Sequence, residues 1–212
     1  GDAPAAYRRD ILPALRKVTG LPRLRRAADL FDAAQNADDL AAVGAQFGLL
    51  ARGLVKIAQD FRLLSSGPEG GLGEIRLPAV QPGSSIMPGK VNPVIPEFLI
   101  QACFQAMGAQ AVCEAALAHG ELDLNVWESA LVFNLLDAMD VMAAAVGAFG
   151  EKCVAGFTVD EAANAAHGRS IIPLLTRAMR RHGYAKVSAV CKKANGNPGK
   201  IRRLLEKQGM VR

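Results

Sequence analysis

The chain has 212 residues, half of them hydrophobic and few of them aromatic, with a formal net charge of +5. That length suits one large domain or a domain with a small appendage. An alanine- and leucine-rich composition with few β-branched runs excludes a sheet-based fold and predicts an all-α protein. The charge is uneven: Arg177 to Arg212 holds eleven Lys or Arg against one acid, net +10, and the remainder is net −5.

Residues 1 to 36 read as short helical pieces broken by Pro13, Gly20 and Pro22. Gly1-Asp2-Ala3-Pro4 does not have the form of a signal peptide. From Asp38 the periodicity is strong. Leu40, Val43, Phe47, Leu50, Leu54, Ile57, Phe61 and Leu64 recur at steps of three and four, the seam of a packed helix. A helix of about 27 residues is about 40 Å long, a length that belongs to bundles. Asn36 or Asp38 is positioned to cap it.

Residues 65 to 92 hold six glycines and four prolines in 28 residues, which excludes a long helix. A loop of this length inside a domain of long helices points to function. Gly71-Leu72-Gly73 does not complete a dinucleotide-binding fingerprint and has no strand before it. Helix resumes after Pro93, a favoured first-turn residue, and runs through Ile95, Phe98, Leu99, Cys103 and Met107 to about Ala118.

A third long helix is predicted from about Asn125 to Lys152. Its apolar residues lie on nearly every side, and between Ser129 and Gly150 its charges are Asp137 and Asp140. A helix apolar all round has to be covered all round, which predicts a homo-oligomer. The three polar residues Asn134, Asp137 and Asp140 argue against a membrane span. After Gly156, shorter helices are expected at about 159–168, 171–182, 185–194 and 198–208, with Gly183 and Gly196 as breaks. The expected division is therefore 1–157, a helical-bundle part with the loop 65–93, and 158–212, a small C-terminal helical domain.

The four cysteines, Cys103, Cys113, Cys153 and Cys191, show no C-x-x-C spacing and sit in helical contexts, as expected for a reducing cytoplasm. His119, His167 and His182 show no ligand spacing, so no metal is expected. His119 and His182 read as helix-end residues, and Trp127 and Met139 as packing residues. The basic C-terminal segment lacks interleaved aromatics apart from Tyr184. A solvated face or a subunit contact is the favoured reading, with nucleic-acid binding a weak alternative.

Chemistry concentrates in Gln81-Pro82-Gly83-Ser84-Ser85-Ile86-Met87-Pro88-Gly89-Lys90-Val91-Asn92-Pro93. Two serines, one cation and an amide donor precede a helix N-terminus, where unpaired amides and the helix dipole favour negative charge. Such a segment suits a carboxylate, or an anion that develops during reaction. A serine there could act as nucleophile or base. A Ser-His-Asp hydrolase is disfavoured, because no strand–turn–helix elbow surrounds Ser84.

Gly83 to Pro93 resembles the signature of the fumarase/aspartase superfamily of lyases, G-S-S-x-M-P-x-K-x-N-P, at every fixed position. The flanking runs Lys56 to Pro68, Gly73-Glu74-Ile75 and Glu121 to Val126 are also similar to segments of that superfamily, and Asn92 to Glu97 is more similar to aspartases than to class II fumarases. The resemblance implies an all-α fold whose central bundle forms the core of a cytoplasmic homotetramer. It implies a cofactor-free β-elimination that releases fumarate from a small dicarboxylate such as L-aspartate. It implies Ser84 as the base, Ser85 in loop and substrate contacts, Lys90 and Asn92 on the substrate carboxylate, and Glu97 as the acid that orients an active-site histidine. Members are more than twice this length and build each site from three regions of three subunits. The region with a Ser/Thr-rich loop and the region with a Thr-His pair have no counterpart here. The expected reading is therefore the C-terminal half of a longer aspartase-like lyase, with a half-site that needs a complementary N-terminal chain, another fumarate-releasing member, or a non-catalytic subunit as alternatives.

Overall fold

The computed structural model describes residues 2–211. Its helices are α1 (Ala5–Thr19), α2 (Asp32–Gln35), α3 (Asp38–Leu64), α4 (Val94–Ala118), α5 (Glu128–Lys152), α6 (Glu161–Gly168), α7 (Ile171–His182), α8 (Tyr184–Lys193) and α9 (Pro198–Lys207). Two two-residue strands, β1 (Ile75–Arg76) and β2 (Thr158–Val159), pair antiparallel with Ile75 opposite Val159. The all-α fold is as expected. Pro13 does not break the first helix but sits inside α1, and Gly20 ends that helix in the left-handed region at φ 68°. No residue of α1 is fully buried, although Ile11, Leu12 and Arg16 are half-buried.

The chain folds as two units whose boundary falls within α3, α4 and α5. The first holds the chain up to Leu54 with Gln101–Ala144. Its core gathers Ala37, Cys113, Ala116, Leu131 and Leu135, with Leu40, Phe47, Val132 and Met139 packed on them. The face that α3 buries here is made of small residues: Ala41, Gly44, Gly48 and Ala51. A Cβ on Gly44 would lie 3.0 Å from the Cys113 sulfur, so α3 and α4 approach with no room for a side chain. Of the predicted seam, Leu40, Phe47 and Leu54 are half-buried, but Val43 and Leu50 are exposed. Asn36 does not cap α3; its amide donates to Asp32 Oδ1.

Asn125 stands out among the described residues as a buried polar side chain. Its N–H donates to Ala34 O at 2.9 Å, its Nδ2 to Ala116 O at 2.9 Å, and its Oδ1 accepts from Trp127 N at 2.9 Å. The backbone of Asn125 thus ties to the α2 segment, and its side chain joins the end of α4 to the entry of α5.

The second unit holds Val55–Ile100 and the chain from Ala145 onward. Phe61 meets Phe149 and Phe157 edge-on, with ring centroids 5.2 and 5.4 Å away, an arrangement that suits the ring quadrupoles. Helices α7, α8 and α9 enclose their own core of Leu174, Ala178, Val187, Val190, Ala194, Ile201, Leu205 and Val211. The turns between them use residues that tolerate positive φ: Gly183 at 83°, then Asn195 at 49° and Gly196 at 70°. Asn197 caps α9 by accepting from Lys200 N, and Pro198 takes the first turn.

Two helical stretches, Asp38–Leu64 and Glu128–Gly156, are long and apolar enough to cross a membrane by length and composition, and only 22% and 28% of their most apolar windows are buried within the chain. On α5, Phe133 is 67% and Leu136 53% exposed.

Candidate active-site loop

The segment from Leu77 to Pro93 leaves β1 and feeds α4, and its tip is a closed ring. Gly83 N donates to Lys90 O at 3.1 Å. Asn92 Nδ2 donates to Gly83 O at 2.7 Å. Gly83 is therefore held from both of its peptide groups. A Cβ there would lie 2.2 Å from Lys90 O, so the ring closes only around a glycine. The return turn places Lys90 N 3.3 Å from Met87 O, with Gly89 at φ 80°. Pro93 ends the ring, and Glu97 N donates to Pro93 O as α4 begins.

The ring carries Ser84, Ser85, Lys90 and Asn92. Ser84 and Asn92 are half-buried, whereas Ser85 and Lys90 are exposed. Ser84 Oγ accepts from Ile86 N at 3.2 Å. An amide aimed at this oxygen favours the form in which it carries more negative charge. A concavity of about 480 Å³ opens on the ring, lined among others by Gln81, Ser84, Met87 and Lys90. Hydroxyl, ammonium and helix N-terminus together suit a carboxylate ligand.

Glu97 lies off the ring, in the first turn of α4, and its Oε1 is 3.3 Å from Nη2 of Arg62. Arg62 belongs to the last turn of α3 and also donates to Gln59 Oε1 at 2.6 Å. His119 Nδ1 lies 2.7 Å from Ala115 O, and His167 Nδ1 lies 2.7 Å from Glu74 Oε1. Neither is a partner of Ser84. Among the described residues no group of three or more His, Cys, Asp or Glu is placed to hold a metal ion. Burial pushes the thiols of Cys103, Cys113 and Cys153 up from their ordinary value, which keeps them protonated and unreactive.

Sequence reasoning gave no individual role to Gly83, Arg62 and Glu74. Gly83 had a signal, a glycine directly before paired serines. The contacts of Arg62 and Glu74 join residues 35 and 93 positions apart, and no local pattern announces them.

A long-helix α fold with a serine- and lysine-bearing loop at the head of a helix defines a class of lyase. The family model described as "Lyase" matches residues 2–108, and the chain belongs to that family, within the fumarase/aspartase superfamily. It is 39% identical over 197 residues to an aspartate ammonia-lyase of Bacillus sp, covering 93% of this chain and 42% of the relative. It is 38% identical over 193 residues to a class II fumarate hydratase of Thermosynechococcus vestitus, covering 91% and 41%. Among solved structures, a fumarate lyase:delta crystallin from Brucella melitensis superimposes with a TM-score of 0.81 at 39% identity, over 91% of this chain and 44% of that one. A class II fumarase from Schistosoma mansoni gives 0.80 at 29% identity, over 95% and 44%. The chain thus spans about two fifths of the length of its relatives. Aspartate ammonia-lyases and fumarate hydratases match it equally well, so the comparisons place the chain in the family without selecting a member.

Proposed function

We propose that this chain is the signature-loop portion of an aspartate ammonia-lyase, releasing ammonia and fumarate from L-aspartate. The closed 83–92 ring carries the reading, because it presents a half-buried serine hydroxyl and a lysine ahead of a helix N-terminus. Ser84 Oγ, as alkoxide, takes a proton from the carbon next to one substrate carboxylate. The C–H electrons pass into that carboxylate as an aci-carboxylate. Lys90 stabilises the growing charge, and so does the amide N–H of Asn92 that does not hold Gly83. The electrons then return to form the C=C bond while the C–N bond breaks and ammonia departs. Ser85 contributes loop and substrate contacts. Glu97 serves as the acid that orients a histidine from another segment. No cofactor is needed.

In the same reading residues 1–157 form part of a central helical bundle and residues 158–212 a small C-terminal domain of a cytoplasmic protein. The exposed apolar residues of α3 and α5 are covered by other subunits, in a homotetramer or with a complementary N-terminal chain, rather than by lipid. A mid-bilayer position would strand Asp137 and Asp140 in hydrocarbon at about 3 kcal/mol each.

The equal match to fumarate hydratases favours one alternative, elimination of water from malate. The test is to assemble the chain with its missing regions and to follow fumarate by absorbance with L-aspartate and with L-malate. Equimolar fumarate and ammonia from aspartate supports the proposal. Turnover of malate alone moves the assignment to a hydratase. Turnover of neither leaves a non-catalytic subunit.

A further inference from the structure

Glu74, the residue before β1, is held on every side. Its N–H donates to Leu64 O, at the end of α3, at 2.8 Å. Its carbonyl accepts from Asp160 N at 2.9 Å and from Asn164 Nδ2 at 2.8 Å. Its carboxylate meets Nδ1 of His167 at 2.7 Å. An ionised carboxylate only accepts, so Nδ1 carries the hydrogen in this contact. Asp160, Asn164 and His167 belong to the cap and body of α6, and Asp160 also pairs with Arg76 at 2.7 Å. The neighbouring β1–β2 ladder has two residues per strand, too short to hold a position by itself.

Beyond β1 the chain is held by packing, with Pro78 against Gly156, where a Cβ would lie 2.8 Å from Pro78 Cγ. No backbone hydrogen bond of the described residues falls between Leu77 and Pro82, and the next is that of Gly83. The ring is closed on itself by hydrogen bonds and is joined to the chain by the start of α4 and by the segment that follows the Glu74 junction. We propose that Glu74 and His167 are a positioning pair that sets where the 83–92 ring, and with it Ser84, stands. Neither touches substrate. The pair acts by tying the segment that feeds the ring to α6. The assignment rests on the reading of the ring as the proton-abstracting loop. Its physical content, loop order set by a contact ten residues away, is measurable without turnover.

The experiment is amide hydrogen exchange on the full chain, comparing the hydrogen-bonded ring amides of Gly83, Ile86 and Lys90 with α7–α9 as an internal reference. Glu74→Ala and His167→Ala are expected to speed exchange at these ring amides at least fivefold while α7–α9 stays at the wild-type rate. Glu74→Gln keeps an acceptor for Nδ1, and His167→Asn keeps a donor near the same place, so both are expected to restore most of the protection. Wild-type loop exchange in the two alanine variants overturns the assignment. Equal acceleration of α7–α9 also overturns it, because Glu74 is then a general stability residue. Neither result bears on whether Ser84 abstracts a proton, which the turnover assay decides.

Discussion

The side-chain amide of Asn92 lies 2.7 Å from the carbonyl oxygen of Gly83, nine residues earlier, and closes the loop that carries Ser84. Asn92 is therefore a structural member of the loop, whatever it contributes to a substrate. Asn92→Ala removes this bond, and Gly83→Ala drives a Cβ to 2.2 Å from the Lys90 carbonyl. Both open the ring. In the assembled enzyme each is expected to lower kcat by about 100-fold, the scale on which a misplacement of about 1 Å acts. Hydrogen exchange at Gly83 N should rise in parallel. Retention of slow exchange at Gly83 in Asn92→Ala would refute the closure.

Ser84→Ala removes the only oxygen that the loop offers as base at that position. Fumarate release in the assembled enzyme is expected to fall by at least about 1,000-fold, within the range of general base and nucleophile losses. The oligomer should survive unchanged, because the Ser84 hydroxyl bonds to the Ile86 amide in its own turn. Ser85→Ala is expected to cost far less. Steady-state rates with size-exclusion profiles check both.

Asn125→Ala leaves the Ala116 carbonyl and the Trp127 amide without the partners they have at 2.9 Å. The Ala116 carbonyl is left with the longer contact from His119 N at 3.4 Å, and a loss of about 1–3 kcal/mol is expected in urea unfolding. Asn125→Asp should do no better, since it replaces the donor to Ala116 O by a second acceptor.

Helix α3 separates two glycines by their surroundings. Nothing lies within 4 Å of a Cβ built on Gly53, whereas one on Gly44 meets the buried Cys113 sulfur at 3.0 Å. Gly53→Ala is expected to stabilise the isolated chain by about 0.5–1 kcal/mol through helix propensity. Gly44→Ala gains the same propensity but forces α3 from α4, and the net is expected to be destabilising by about 1 kcal/mol or more. Paired thermal melts distinguish the two.

Asp160 has its carboxyl held below the usual aspartate range, first by the Ala163 amide that it caps and then by Arg76. A depressed folded-state pKa contributes stability that is present above the ordinary aspartate value and is lost as pH falls through the lower, folded one. Acidification below the ordinary range should therefore weaken the wild-type chain more than Asp160→Asn, which keeps an acceptor for the cap but carries no charge. Urea midpoints between pH 7 and pH 3 check the difference.

Much of this molecule is legible in its residues. The apolar steps from Leu40 to Leu64 mark α3, the cluster of glycines and prolines at 65–92 marks the loop, and Gly183 and Gly196 mark the turns of the last three helices. These signals are local, since helix periodicity, proline geometry and positive φ act within a few residues of chain. The loop residues Ser84, Ser85, Lys90 and Asn92 were found for the same reason, because their chemistry is contiguous. Which face of α3 turns inward was not legible. The large seam residues suggested themselves, but Gly44 and Gly48 are the positions where α3 comes close to α4, while Val43 and Leu50 face outward. The closure of Gly83 by Asn92, the pairing of Arg62 with Glu97 and the junction of Glu74 with His167 were likewise decided by tertiary structure. Each depends on a side chain arriving within 3.3 Å of a group 9, 35 or 93 residues away, and such proximity is set by the tertiary path of the chain.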